Sequence, residues 1–332
     1  MTSKKRLFQS ESTWRAGKSP IVALQFVAGQ DVLLSIDAER TIQFWNVSEQ
    51  REIEKLLNPK PPATVCPRGK ILAARGDGTG IDIYNLSSGV ILQSLSGPVV
   101  EDGVVTIIVF SPTGKEMASA HLNQVRLWHR DHEQGEFRLS QDFKYEEAVS
   151  AIAFSPSGKM FATATGYKSL LVVDVETGKI RRSVMRQGFT LCLSFSPSGR
   201  MLLATEEQGG EHRLRIYDIE TGERVRDVAA WSSPGEWLRY AIFGVFSGLF
   251  RPNPFAAYSP VEPEIACVFG QSQQMIRILE GDSAKLLQVL RTGQGAVRCL
   301  AFSSTGCVLA SGGGDGTIRL WRRLRSNRCE DF

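Results

Sequence analysis

One pattern in the sequence constrains the fold more than any other. An alternating apolar run ends in an aromatic residue or valine, reverses through a Ser/Pro/Gly turn and returns as a second apolar run. A third run follows another tight turn and ends, in the clearest copies, on Trp or Tyr. The sharpest copy is Ala296–Trp321, AVRCLAFSSTGCVLASGGGDGTIRLW. Aligning the chain on the residue before the first turn gives Phe26, Val65, Phe110, Phe154, Phe195, Tyr258 and Phe302, with spacings of 39, 45, 44, 41, 63 and 44. The third runs end independently at Trp45, Tyr84, Trp128, Val173, Tyr217, Leu279 and Trp321. Both markers count seven units. A period of roughly 40–45 residues signals a stacked or radial repeat architecture, and four short strands fill a unit of that length.

Each part of the unit has a physical reason. In FSPSG and FSPTG the proline presets φ and the glycine accepts positive φ, which makes a tight reversal. Runs such as Met201–Thr205 and Leu170–Val175 are apolar on both faces, as strands buried between neighbouring sheets must be. Ser87-Ser88-Gly89, Glu176-Thr177-Gly178 and Glu220-Thr221-Gly222 follow third runs and each turns the chain into a fourth strand; examples of such strands are Val90–Leu95, Lys179–Val184 and Lys285–Leu290. No unit carries a helical period of useful length.

Composition is compatible with a substantial core: 332 residues, 42% apolar and 22% charged, with a net charge of +4. No apolar run approaches the roughly 20 residues needed to span a bilayer. MTSKKRLFQSESTW lacks the apolar segment of a signal peptide. The six cysteines show no CxxC-type pairing, and several lie inside apolar runs. Reduced, buried thiols in a cytoplasmic protein are expected, not a disulfide framework.

DGTIRLW in the last unit, with VRLWH, LRIYD, IQFWN and IDIYN before it and three copies of FSPSG/FSPTG, resembles the WD40 repeat family over roughly residues 5–325. The resemblance implies an all-β, seven-bladed β-propeller of four-stranded antiparallel blades, with loop faces that bind proteins or peptides. It also implies structural roles for Trp45, Trp128, Ser311, Asp315 and Trp321. The family's Gly-His pair, whose His joins an Asp, a Ser/Thr and the Trp in a hydrogen-bond network, is absent from every unit. The last unit keeps Ser311, Asp315 and Trp321 without that His. Asp37, Asp77 and Asn123 hold the turn position in units one to three.

Little chain remains after Trp321 to make a fourth strand, and about 20 residues precede the first unit. Part of Lys5–Trp14 is therefore expected to pair as the outer strand of the last blade. The domain reading is an N-terminal segment 1–20, a propeller 21–325 and a tail 326–332.

The spacing of 63 marks an insertion of about 20 residues over 230–253, AWSSPGEWLRYAIFGVFSGLFRPN. It holds Trp231, Trp237, Tyr240, Phe243, Phe246 and Phe250, the candidate partner-binding residues, because clustered aromatic residues on a soluble protein mark interaction sites. The first reading of this loop is that it folds back and packs over a blade edge or the channel mouth, the exposed partner-recruiting patch is the second, and shallow membrane insertion helped by Arg239 and Arg251 is a third. One or two helical turns over Trp237–Phe246 are compatible with its Pro-Gly-Glu start.

Catalytic and metal chemistry find no support. His129, Asp131 and His132 sit in a charged segment that reads as a solvated hairpin tip, and the glycine runs 76–80 and 312–316 lack the Lys and helix of a phosphate loop. Glu146-Glu147 and Glu206-Glu207 read as loop carboxylates. No Gly-x-Ser-x-Gly nucleophile elbow is present. Two arginine clusters are expected: Lys4, Lys5 and Arg6 with Arg319, Arg322, Arg323, Arg325 and Arg328 at the seam, and Arg181, Arg182 and Arg186 near Arg213, Arg215, Arg224 and Arg226. They read as charged strand edges, or as attraction for an acidic partner. Without interleaved aromatic residues they argue against single-stranded nucleic acid. The resulting expectation is a noncatalytic, cofactor-free protein-interaction scaffold. A propeller enzyme or ligand-binding propeller with its site at the channel mouth is the runner-up.

Overall fold

The computed structural model describes residues 7–27, 29–39, 41–57, 60–68, 70–76, 80–96, 105–185, 188–209, 211–232, 256–269 and 274–324. Twenty-eight strands form seven four-stranded antiparallel sheets. Blade 1 is β2 (Ile21–Val27), β3 (Val32–Asp37), β4 (Thr41–Asn46) and β5 (Arg51–Leu57). Blade 2 is β6 (Lys60–Val65), β7 (Ile71–Arg75), β8 (Ile81–Asn85) and β9 (Ile91–Leu95). Blade 3 is β10 (Val105–Phe110), β11 (Glu116–His121), β12 (Gln124–His129) and β13 (Arg138–Lys144). Blade 4 is β14 (Val149–Phe154), β15 (Met160–Thr165), β16 (Ser169–Asp174) and β17 (Ile180–Met185). Blade 5 is β18 (Phe189–Phe195), β19 (Met201–Gln208), β20 (Glu211–Asp218) and β21 (Arg224–Ser232). Blade 6 is β22 (Ala256–Tyr258), β23 (Glu264–Phe269), β24 (Met275–Glu280) and β25 (Leu286–Arg291). Blade 7 is β26 (Val297–Phe302), β27 (Val308–Gly313) and β28 (Thr317–Arg323), closed by β1 (Phe8–Arg15).

The ring closes as expected. β1 pairs antiparallel with β28 from Phe8 opposite Arg323 to Arg15 opposite Thr317. Phe8 is buried against blade 6 and 7 residues, including Leu290, Leu300 and Trp321. Trp14 stacks on Trp45 of blade 1, with ring centroids 5.4 Å apart. The chain then crosses the β27–β28 turn to enter blade 1. Gly316 there has φ +77°, and a Cβ on it would lie 2.4 Å from the Gly17 carbonyl oxygen, so this turn admits only glycine.

The apolar core is divided among the seven junctions between blades. Val27, Leu34, Ile42 and Phe44 of blade 1 meet Val65 and Leu72 of blade 2. Ile21, Leu33 and Trp45 meet Cys299, Ala310 and Leu320 across the seam. Strands that are apolar on both faces follow directly from this arrangement, because each blade is covered on two sides. Bulges recur at matched positions: the third and fourth strands slip register at Phe44/Trp45, Ile83/Tyr84, Leu127/Trp128, Val172/Val173, Ile216/Tyr217 and Ile278/Leu279. Such bulges raise local twist. No described helix is long and apolar enough to cross a membrane.

Antiparallel alternation gives the ring two faces. One carries the SPSG-type turns and the turns between third and fourth strands. The other carries the turns between second and third strands and the connections from blade to blade.

Candidate partner-binding surfaces

The Trp and Ser positions that recur from unit to unit are structural in place and partner. Trp45, Trp128 and Trp321 donate their indole N–H to Ser35, Ser119 and Ser311 Oγ at 2.9, 2.9 and 3.0 Å. These serines stand at one matched position of the second strand. The blades without Trp hold Ala74, Thr163, Ala204 and Cys267 there. Trp and Ser therefore occur together within this one chain, as buried donor and acceptor must.

In blade 7 the network extends to a residue that the sequence reading missed. Ser311 Oγ donates to Gln294 Oε1 at 2.6 Å, and Gln294 Nε2 donates to the Ser311 and Thr317 carbonyls, both at 3.1 Å. Thr317 Oγ1 in turn donates to Asp315 Oδ1 at 2.7 Å. Gln294 lies in Gly293-Gln294-Gly295, so the place expected for Gly-His is taken by Gly-Gln. The signal was legible as a Gly-x pair before the first strand, with an amide supplying both donor and acceptor in place of an imidazole.

A second device also escaped sequence reading. Side chains at one matched position of the outer strand reach the next blade. Gln93 Nε2 donates to the Phe137 carbonyl at 2.8 Å while its Oε1 accepts the Phe137 N–H at 2.9 Å. Gln141 donates to the Val175 carbonyl at 2.9 Å. Gln288 accepts the Leu7 and Phe8 N–H groups, both at 2.8 Å, and donates to the Phe8 carbonyl at 2.7 Å. In blade 4 the position is Arg182, which donates to the Ile219 and Glu220 carbonyls. Each is an inter-blade latch made of a long polar side chain and backbone of the next blade.

The described arginines of the expected basic clusters are engaged. At the seam Arg319 donates to Thr13 Oγ1 at 3.0 Å, Arg322 pairs with Glu11 at 2.7 Å, and Arg323 pairs with Glu264 at 2.5 Å. Arg323 is also buried over the Phe8 ring, 4.7 Å from its centroid. In the second cluster Arg181 pairs with Asp174 at 2.5 Å, and Asp227 receives Arg213, Arg215 and Arg224. A cleft of about 570 Å³ between blades 4 and 5 is lined by Arg181, Arg182, Arg200 and Glu220, among others. Its guanidinium groups already hold Asp174, the turn carbonyls and Asp218. These clusters therefore read as intramolecular ties. Lys4, Lys5, Arg6, Arg186, Arg325 and Arg328 lie outside the described residues.

Glu206 is a correction. Its neighbour Glu207 also stands in β19, and Glu206 is a fully buried residue of that strand, not a loop carboxylate. It forms an ion pair with Arg215 and accepts the Tyr217 hydroxyl at 3.2 Å. Glu146 lies in the exposed connection before blade 4, as expected. His129 lies between Glu116 and Asp131, with a nitrogen 3.4 Å from each, on an exposed hairpin. Among the described residues no group of three or more His, Cys, Asp or Glu is placed to hold a metal. Cys66, Cys192, Cys267 and Cys299 are buried and not disulfide-bonded. Burial pushes the Cys66, Cys267 and Cys299 thiols up, Cys267 to about 12, which leaves them protonated at neutral pH. Cys307 departs from the expectation of reduced thiols, being held in a disulfide.

Of the aromatic candidates, Trp231 stands in β21 opposite His212. Trp237, Tyr240, Phe243, Phe246 and Phe250 lie outside the described residues. The bracketing strands β21 and β22 put the two ends of this segment on the face of blade-to-blade connections, beside the β19–β20 turn.

The profile of the family described as WD domain, G-beta repeat, matches residues 138–174 and 284–322. Each match begins in or just before the outer strand of one blade and runs through the first three strands of the next. Nuclear distribution protein PAC1 of Arthroderma benhamiae is 24% identical over 279 residues, covering 78% of this chain and 57% of that protein. Periodic tryptophan protein 2 is 25% identical over 234 residues in Arabidopsis thaliana, covering 62% of this chain and 25% of that protein. The Saccharomyces cerevisiae protein of that name is 23% identical over 260 residues, or 78% of this chain. The chain thus spans 57% of the length of its PAC1 relatives and a quarter of the longer ones. With seven four-stranded blades and Trp–Ser pairs in three of them, the chain is a seven-bladed β-propeller that carries WD40 repeats at 138–174 and 284–322.

Proposed function

We propose that this propeller is a noncatalytic protein-interaction scaffold of the cytoplasm, built from the segment 1–20 and the ring 21–325, and that partners engage it on the face of blade-to-blade connections at the segment between β21 and β22. The observation that carries this reading is the single interruption of an otherwise regular repeat. The other units are spaced by 39–45 residues, whereas the spacing of 63 adds about 20 residues rich in aromatic residues over 230–253. A noncatalytic role is supported by the chemistry of the described residues. Burial holds the Cys66, Cys267 and Cys299 thiols protonated, and the described arginines of the two clusters are tied to internal carboxylates, turn carbonyls and the Thr13 hydroxyl. Similarity to the WD-repeat relatives supports protein partners as the ligand class. It does not extend their particular partners to this chain.

The test is affinity capture from native lysate with the wild type and with a variant whose residues 233–253 are replaced by a short Gly/Ser linker. A thermal melt serves as the control for folding. The reading expects the variant to melt like the wild type and to lose specific partners. Identical partner sets from both proteins would reassign the segment to packing. Liposome co-sedimentation of Trp237→Ser/Phe243→Ser against wild type separates the membrane alternative, since binding lost only in the double variant would favour lipid.

A further inference from the structure

The inter-blade latch changes character in one place. Blades 2, 3 and 6 build it from glutamine, a neutral side chain, at the outer-strand residue opposite Ile83, Leu127 and Ile278. Blade 4 places Arg182 at that position, opposite Val172. Arg182 Nε donates to the Ile219 carbonyl at 3.1 Å, and Nη2 donates to the Glu220 carbonyl. Both acceptors are neutral. Among the described residues Arg182 has no ion pair, and its Nη1 has no hydrogen-bond partner. A half-buried positive charge is thus held where other blades use an amide, at a desolvation cost that the latch itself does not require.

Arg182 shares the cleft of about 570 Å³ between blades 4 and 5 with Arg181 and Arg200. The ties of these two neighbours occupy only part of each guanidinium. Arg181 reaches Asp174 through Nε and Nη2, and Arg200 reaches Asp218 through Nε. Arg181 Nη1 and both Nη groups of Arg200 have no hydrogen-bond partner among the described residues. The two carboxylates are themselves shared: Asp174 also accepts the Thr177 N–H and hydroxyl, and Asp218 accepts the Glu220 and Thr221 N–H groups. The stem of Arg182 packs directly on the next blade, since a Cβ on Gly222 would lie 3.0 Å from Arg182 Cδ. Open charged donors on anchored side chains therefore line one cleft, and Glu220 is the one carboxylate among its described lining residues.

We propose that this cleft binds a phosphate group, carried by a phosphorylated serine or threonine of a protein partner. Such a group brings a charge of about −1.5 to −2 at neutral pH and three acceptor oxygens. That matches the open N–H groups of several guanidiniums better than a carboxylate, which one arginine satisfies bidentately. The protein source rests on the reading of the ring as a protein-interaction scaffold. The cleft lies on the face of the SPSG turns, opposite the face from which the segment between β21 and β22 departs, so the two sites are separable.

Fluorescence anisotropy of the full chain with a labelled peptide library, degenerate around one central phosphoserine or phosphothreonine, tests this beside the unphosphorylated library. The phosphorylated library should bind at least about tenfold tighter, the gain expected of charge-assisted hydrogen bonds, and inorganic phosphate should compete. Arg182→Gln restores the latch residue of blades 2, 3 and 6, so it should melt like the wild type yet lose that preference. Arg200→Gln, at an exposed side chain, is the second variant and should reduce the preference as well. The variant with 233–253 replaced by a linker should keep it, which separates this cleft from the site proposed above. Equal binding of the two libraries overturns the inference, and so do Arg182→Gln and Arg200→Gln variants that bind like the wild type. A linker variant that loses the preference would move the phosphate contact to the segment and overturn it too. Co-sedimentation of the wild type, but not of Arg182→Gln, with phosphatidylinositol phosphate vesicles while both libraries bind equally would assign the cleft to lipid and overturn the protein source.

Discussion

Ser311 and Thr163 occupy the same position in different blades, and their surroundings give opposite predictions. Ser311 is fully buried between the Trp321 indole and the Gln294 amide. Ser311→Ala strands a buried donor and a buried acceptor and should cost about 1–3 kcal/mol. Thr163 faces Val173 where Trp would stand, and its hydroxyl is buried with no hydrogen-bond partner among the described residues. Thr163→Val removes that hydroxyl at constant shape and should be neutral or mildly stabilising. Urea unfolding midpoints of the two variants read both signs. His121 belongs to the same scale. It is buried, neither ring nitrogen has a hydrogen-bond partner among the described residues, and burial, helped by nearby Arg126 and against Asp142, pulls its pKa down from 6.5 to about 4. A depressed histidine binds its proton more readily when unfolded, so stability falls as pH drops from about 6.5 towards 4, by on the order of 3 kcal/mol. His212 is shifted in the same direction by burial. Asp174 acts in a lower window, since Thr177 N–H and Arg181 hold its carboxyl at about 2. His121→Leu should flatten the stability profile between pH 6.5 and 4, and chemical denaturation across that range measures it.

At the scale of strands and turns, the architecture was legible because the SPSG turns and the Trp/Tyr strand ends repeat independently with one period. What was not legible depends on contacts between units. The latches of Gln93, Gln141 and Gln288 are isolated glutamines in sequence, and only the register of the outer strands brings them to one position. Gln294 stayed hidden because a histidine was expected. Glu206 was misread because two adjacent glutamates suggest a loop, whereas Arg215 and Tyr217 on the next strand make a buried site for one of them. The most demanding such contact is Arg323 with Glu264, which ties blade 7 to blade 6 beneath the Phe8 ring. Arg323→Met should destabilise by about 3–5 kcal/mol, because it leaves Glu264 as a buried charge without its partner. Adding Glu264→Leu should recover most of that loss, and a double-mutant cycle gives the coupling directly.

For the whole molecule, the family profile matches segments that begin at an outer strand and end at a third strand, so repeat and blade are offset by one strand. An array of such repeats leaves one strand over at its start and one missing at its end, and a ring joins the two. β1 is that joint: it pairs with β28, buries Phe8 at the blade 6–7 junction and stacks Trp14 on blade 1. Closure removes the widest free edge and fixes both faces, including the one from which the aromatic segment departs. Gly316 marks the crossing point, and Gly316→Ala should lower stability by more than about 1 kcal/mol, because it requires a left-handed backbone and collides with Gly17. The most direct measurement is the thermal unfolding of a variant lacking residues 1–15, followed by circular dichroism beside the full chain. The closed ring predicts a melting temperature at least 10 °C lower or loss of the cooperative transition, a shift of roughly seven kcal/mol or more for a domain of this size. An unchanged melting temperature with an unchanged transition would show that blade 7 stands without its N-terminal strand, and would contradict the closed ring.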